Sequence, residues 1–244
     1  MEFQTPAPSP SAPAKDMSLP QRIWGILVSP RAVLESVRER PRLLGAVLVL
    51  AVLYLAAGIL LTGPSTNDQL DQLSRGGGSM SAEELEAAQA RVASISRFAV
   101  PASAVTFGLA AVFVAAGVLM LLANVALGGN CTFKAMAAAT ALTSMVGIPA
   151  SLVRIPLSMA KGTTQVATSL AAVLPPDAQE TLLYRVLNQL DVFGLWGLAL
   201  NILAVSIVGR VPMRGAAIGV IALWLVWVVL VVLVQSLFAG LGGA

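Results

Sequence analysis

The chain predicts an all-α membrane protein with five transmembrane helices, and three observations carry that prediction. Only 11% of its 244 residues are charged while 57% are hydrophobic, whereas a soluble domain carries about 25% charged residues. Mean hydropathy is +0.84. Five separate apolar runs approach the length of about 20 residues needed to cross a hydrocarbon core of ~30 Å. A chain of 25.1 kDa cannot hide five such uncharged runs inside a soluble core.

Residues 1–18, MEFQTPAPSPSAPAKDMS, are rich in Pro, Ser and Ala without an apolar run, and read as a disordered, partly extended tail. The first long apolar stretch begins near Leu43, too late for a signal-peptide core. Residues 19–42 form a cytosolic amphipathic lead-in. Ser29 is placed to cap a helix with Pro30 in its first turn. Val33 and Val37 share one face, with Arg31, Glu35, Arg38 and Glu39 elsewhere, so this helix is expected at the membrane surface. Ile23, Trp24, Ile26 and Leu27 supply an apolar, aromatic anchor before it.

Residues 43–244 form the five-helix membrane domain. Its spans are expected at Leu43–Thr62, Ala102–Asn124, Ala135–Val153, Val192–Val208 and Ala216–Phe238. The fourth is short and should stand nearly upright or extend at its ends. Two loops between spans carry helical signals of their own. Ser81 and Glu84 suit a capping box, and Asp177 with Glu180 repeats it less strongly, ahead of an apolar stripe from Leu182 to Leu190. SRGGGS at 74–79 reads as a hinge.

The basic residues orient the chain. Lys15, Arg22, Arg31, Arg38, Arg40, Arg42, Lys134, Arg210 and Arg214 fall on one side, against Arg75, Arg91, Arg97, Arg154, Lys161 and Arg185 on the other. The positive-inside rule then puts the N-terminus in the cytoplasm and, after five spans, the C-terminus outside. Arg far outnumbers Lys amid abundant Ala, Gly and Val. That composition hints at a GC-rich genome and a prokaryotic cytoplasmic membrane.

Composition also excludes function classes. Without histidine there is no His-dependent triad and no imidazole metal ligand. One cysteine, Cys131, allows no intrachain disulfide and no thiolate cluster. It reads as a small apolar filler, with lipid attachment as the other reading. The basic residues are spread along the chain without aromatic platforms, so nucleic acid is not an expected partner. No phosphate loop or paired carboxylates emerge, so no catalytic residue, cofactor or metal is expected. The expected partner is the lipid bilayer, with membrane-protein partners or self-association beside it.

Among the carboxylates only Asp191 abuts an apolar run. It is either a functional membrane-edge acid or the acid that opens the fourth helix. Arg154 is expected to snorkel to the headgroups, with pairing to Asp191 as the alternative. Gly147 and Pro149 interrupt the third span. Pro149 should bend it and leave the Met145 carbonyl to a neighbour such as Ser144. Gly215 and Gly219 form a small-xxx-small pattern that packs helices within one chain or between chains.

The pieces in order resemble the Yip1 family of five-span membrane proteins. SPRAVLESVRERP is similar to its pre-membrane segment. GGNCTFKAMAAATALTSMVGIPASL is similar to its second landmark, with Phe133, Lys134 and Pro149. LDVFGLWGLALNILAVSIVGRVPMRGAAIGVIALWLVWVV is similar to the third, with Asp191, Phe193 and Trp196 at a helix start. The resemblance covers residues 20–240 and implies a five-helix fold. Eukaryotic members act in vesicle trafficking and bind Rab-type GTPases and one another. Here a short Pro-rich tail replaces their longer acidic cytosolic region, so small-GTPase binding is not expected to carry over. The function expected is a non-enzymatic scaffold or accessory subunit in membrane organisation, trafficking or a membrane complex. The alternative is a small-solute or ion transporter.

Overall fold

The computed structural model describes residues 17–76, 81–166, 168–175 and 181–241. Five helical segments among them are long and apolar enough to cross a membrane: Leu43–Leu60, Ala82–Ala126, Phe133–Lys161, Val192–Gly209 and Met213–Ser236. The described residues contain no strand, only an isolated bridge between Ser169 and Asp191.

The chain enters through α1 (Leu19–Val28) and α2 (Pro30–Glu39). The Gln21 side chain accepts from the Ser18 N–H (2.9 Å) at the α1 start, which satisfies one of the donors that a helix start leaves over. Arg22 ties the two helices into a hairpin. Its guanidinium is buried and donates to Ser36 Oγ (2.9 Å) and to the Arg40 carbonyl (3.1 Å). Ser29 precedes α2 but its side chain makes no cap bond, so Pro30 alone marks that start.

The lead-in differs from the expected single surface helix. Ile26, Val33, Leu34 and Val37 are fully buried in the main core. The apolar stripe therefore turns to protein, with α2 against the fourth span and α1 against the third. Trp24 stays exposed, as do Arg31, Arg38, Arg40 and Arg42, and Arg31 pairs with Glu35 (3.6 Å) on the outer side of α2.

α3 (Leu43–Leu60) is the first span, and α4 (Thr62–Gly76) continues from it. α5 (Ala82–Leu121) is 40 residues long, or about 60 Å at 1.5 Å per residue, twice what a span requires. Its second half is the expected second span, and its first half runs back along α4. The two make a helical stalk standing beyond the bundle. Ser81 Oγ accepts from the Glu84 N–H (3.2 Å) and Glu84 accepts from the Ser81 N–H (2.8 Å), so the capping box is formed. α3 and α5 cross where a Cβ on Gly58 would lie 2.7 Å from Pro101 Cα. Within 74–79, residues Ser74–Gly76 belong to α4, and the rest lies outside the described residues.

Asp68 fastens the stalk to the bundle. It accepts from the Thr163 and Thr164 hydroxyls and from the Thr164 N–H (2.9 Å), while Asn67 donates to the Gly162 carbonyl (2.9 Å). Partial burial raises the Asp68 pKa, but the bonds from Thr163 and Thr164 outweigh it and hold the carboxyl below its ordinary value. A depressed folded pKa contributes stability that is present above the unfolded value, about 3.9, and lost as pH falls through the folded one. Spin labels at Gln69 and Gln165, in a Cys131→Ser background, should therefore report a broader distance distribution below about pH 4. Asp68→Asn should be broad at every pH. A narrow Asp68→Asn distribution would show that the carboxylate is not the clamp.

The third span is two helices. α6 (Phe133–Thr143) and α7 (Gly147–Lys161) are joined by a 3-10 turn at Ser144–Val146. The break precedes Pro149, which sits in the first turn of α7, where its missing N–H costs nothing. Ser144 does not serve the Met145 carbonyl; its hydroxyl donates to the Thr140 carbonyl (2.8 Å). Every residue from Ala135 to Thr143 is buried, so α6 is the central plug of the bundle. Thr143 Oγ1 donates to Asn201 Oδ1 (2.9 Å), linking it to the fourth span.

α8 (Leu182–Leu187) is capped by Thr181, whose Oγ1 accepts from the Tyr184 N–H (3.2 Å). Asp177 and Glu180 lie outside the described residues, and the helix covers only part of the stripe expected to reach Leu190. Leu182 and Leu183 are exposed. α9 (Val192–Gly209) and α10 (Met213–Leu241) complete the bundle. Gly219 lets α10 approach the π-helical end of α5 (Leu122–Ala126), where an added Cβ would lie 2.7 Å from Leu122 Cδ1. Gly215 faces Leu127 (3.4 Å). Both glycines of the small-residue pattern meet side chains of this same chain.

Candidate functional site

The candidate site is a chamber of about 850 Å³ on the stalk side of the bundle. Its depth follows from the broken third span, since Ser144, Val146 and Gly147 floor it. Tyr54 of α3, Arg154 and Ser158 of α7, and Phe193 and Gly194 of α9 form its walls. Thr164, Gln165, Thr168, Tyr184, Asn188 and Gln189 supply the polar rim.

Its electrostatic centre is an ion pair. Asp191 is the N-cap of α9, with Oδ1 accepting from the Phe193 N–H (2.9 Å). Its Oδ2 accepts from Arg154 Nη2 and from Thr168 Oγ1 (3.2 Å), and Arg154 Nε also donates to Thr168 Oγ1 (2.8 Å). The Asp191 side chain is 8% exposed against 48% for Arg154. Arg154 therefore pairs rather than snorkels. Thr168 opens the segment 168–175, which Leu170 N–H to Leu190 carbonyl (3.1 Å) and Ser169 Oγ to Asn188 Oδ1 (2.9 Å) hold against the chain after α8. Arg185 in turn donates to Ser236 Oγ of α10 (2.7 Å).

This arrangement is positional chemistry. Both Asp191 oxygens are engaged, so the carboxylate is neither a free nucleophile nor a free base. The paired charges cancel, and the rim of hydroxyls and amides suits uncharged polar groups or water. An apolar groove of about 310 Å³ between α3 and α7 shares Tyr54, Ser144 and Gly147 with the chamber.

The residues singled out from sequence do not converge on one site. Asp191 and Phe193 line the chamber, and Trp196 lies one turn below, packed on the core. Pro149 sits beside the floor. Phe133 opens α6 on the opposite face and stacks on Phe113 (centroids 6.4 Å apart), with Lys134 exposed next to it. Gly215 and Gly219 belong to that half too, and Trp24, Arg31, Arg38, Arg40 and Arg42 to the lead-in. Thr164, Thr168, Asn188 and Gln189 were not foreseen. The cluster TTQVATS at 163–169 was the available signal.

Near Cys131 the chain closes a loop. Asn124 Nδ2 donates to the Cys131 carbonyl and Asn124 Oδ1 accepts from its N–H, both at 2.9 Å. Burial pushes the thiol pKa up, which keeps it protonated and unreactive.

Comparison with known proteins agrees with this architecture. The Yip1 domain matches residues 24–234. Membrane protein YknW of Bacillus subtilis (strain 168) is 30% identical over 225 residues, covering 90% of each chain. No solved structure matches significantly.

Proposed function

The chain belongs to the Yip1 domain family, and from that membership we propose that this membrane protein is a non-enzymatic scaffold or accessory subunit. The observation that carries the proposal is the stalk. The α4 helix and the first half of α5 reach beyond the spans and present a mostly polar, exposed surface. Such a hairpin offers a rigid surface at a fixed place, which is what assembly with a partner needs. The basic-residue bias supports placing the stalk and C-terminus outside and the lead-in in the cytoplasm. Trafficking by way of a small GTPase is not part of the proposal.

The transporter alternative requires a path across the membrane. The chamber opens on the stalk side, while the buried run Ala135–Thr143 fills the centre of the other half. A one-sided chamber fits a structural cap better than a conduit.

One reagent tests placement and partnership together. A membrane-impermeant, thiol-reactive photocrosslinker is added to intact cells carrying Gln89→Cys in the stalk. It should attach at residue 89, leave Cys131 unlabelled, and on illumination yield a discrete protein adduct. Labelling of residue 89 only after the cells are permeabilised would invert the orientation. Adducts to lipid alone at every stalk position would remove the scaffold reading, and solute flux in proteoliposomes of the purified chain would favour transport.

A further inference from the structure

We propose that the lead-in side of the bundle carries a binding site for the phosphate of an anionic phospholipid headgroup. The site is a cavity of about 370 Å³ lined by Arg38, Asn130, Cys131, Thr132, Val208 and Arg210, among others. Two arginines and, among the described residues, no carboxylate line it, so two positive charges meet there without a described counter-charge. Neither guanidinium has a hydrogen bond or ion pair among the described residues, in contrast to those of Arg31, Arg154 and Arg185. Like charges brought to one cavity repel, and an anion shared between them removes that cost.

The backbone supplies an independent observation. Arg210 follows α9 at φ +59, and it is the single described non-glycine residue with positive φ. That left-handed C-terminal position ordinarily belongs to glycine. An arginine held there lines the cavity at a conformational cost that glycine would avoid. The helix end itself is already secured by Val211 N–H to the Ser206 carbonyl (3.1 Å) and Ser206 Oγ to the Val211 carbonyl (2.9 Å). The guanidinium is therefore not needed to close the helix. Thr132 and Ala135 on the cavity wall belong to the α6 N-terminus, whose dipole adds to the positive potential.

Depth selects the source of the phosphate. Spanning segments begin or end beside this cavity at Leu43, Ala126, Phe133, Gly209 and Met213, which places it at the level of lipid headgroups. Arginine engages phosphate through a bidentate fork. A headgroup of the adjoining leaflet reaches the cavity without leaving the bilayer.

The test uses the full chain in nanodiscs of phosphatidylcholine, titrated with phosphatidylglycerol and followed by native mass spectrometry. Arg210→Gly removes the guanidinium while suiting the backbone, so it should fold at least as well as the parent. Its affinity for phosphatidylglycerol should fall about fivefold, the effect of one basic residue at an anionic surface, and Arg38→Gln should do the same. Arg31→Gln changes the net charge equally but lies outside the cavity, and should leave binding within twofold. Equal losses in all three variants would reduce the effect to general surface charge and overturn the site. Displacement of phosphatidylglycerol by millimolar inorganic phosphate would overturn the lipid assignment in favour of a soluble phosphate. Undiminished binding by Arg210→Gly would overturn the proposal outright.

Discussion

Gly129→Ala should prevent the bundle from closing on its lead-in side. A Cβ at residue 129 would stand 2.3 Å from the Gly209 carbonyl oxygen, 2.6 Å from Val211 Cγ1 and 2.9 Å from the Ala123 carbonyl oxygen. Two of these are backbone atoms, so no rotamer change relieves the clash. They also belong to the bonds that hold the seam, Gly129 N–H to the Ala123 carbonyl (2.8 Å) and Asn130 N–H to the Gly209 carbonyl (3.2 Å). Overpacking in a close-packed interior costs about 1–3 kcal/mol and sometimes more, and a backbone clash falls at the upper end. The neighbouring glycine is a control of a different kind. Gly128 has φ +67 and nothing within 4 Å of its missing Cβ, so Gly128→Ala meets only the left-handed backbone penalty of about 1–2 kcal/mol. In detergent, melting followed by tryptophan fluorescence should therefore rank parent, Gly128→Ala and Gly129→Ala in falling order. A Gly129→Ala protein as stable as Gly128→Ala would mean that the α5–α6 loop does not sit against the end of α9.

That seam shows where sequence reading stops. The five spans were legible because lipid demands long uncharged runs, and each observed span overlaps its expected one. Two local caps were legible for a similar reason, since Ser81 with Glu84 and Asp191 each act within three residues, whereas Ser29 makes no cap bond. The break in the third span was legible in its place, next to Gly147, but not in its cause. Pro149 drew attention as the breaker, yet a proline in the first turn of a helix disturbs nothing. The disturbance comes earlier, where the Ser144 hydroxyl donates to the Thr140 carbonyl (2.8 Å). Side-chain bonds of this kind compete with the helical ladder. The lead-in illustrates a second limit. An amphipathic stripe announces that an apolar surface will cover it, but Val33 and Val37 look the same whether that surface is lipid or protein.

The ion pair in the chamber is the third such case, and its energetics lead to the last prediction. Arg154 and Asp191 are 37 residues apart, and Thr168 reaches them on a loop whose course no local signal encodes. Removing the two members should not cost the same. Arg154→Leu leaves the nearly buried Asp191 carboxylate without its counter-charge, holding only Thr168 and the Phe193 N–H. Breaking a buried pair costs about 3–5 kcal/mol, and the half-exposed guanidinium puts this one at the lower end, about 3 kcal/mol. Asp191→Asn keeps an oxygen for the Phe193 N–H, and asparagine caps helices as well as aspartate does. The arginine it strands is 48% exposed and can hydrate, so the loss should be about 1 kcal/mol. The double variant Arg154→Leu, Asp191→Asn removes the charge along with its partner. It should be more stable than Arg154→Leu alone, a coupling that a thermodynamic cycle on the purified chain measures directly. Additive losses would mean that the two side chains do not depend on each other, and the chamber would then be held by its loops and not by its charges.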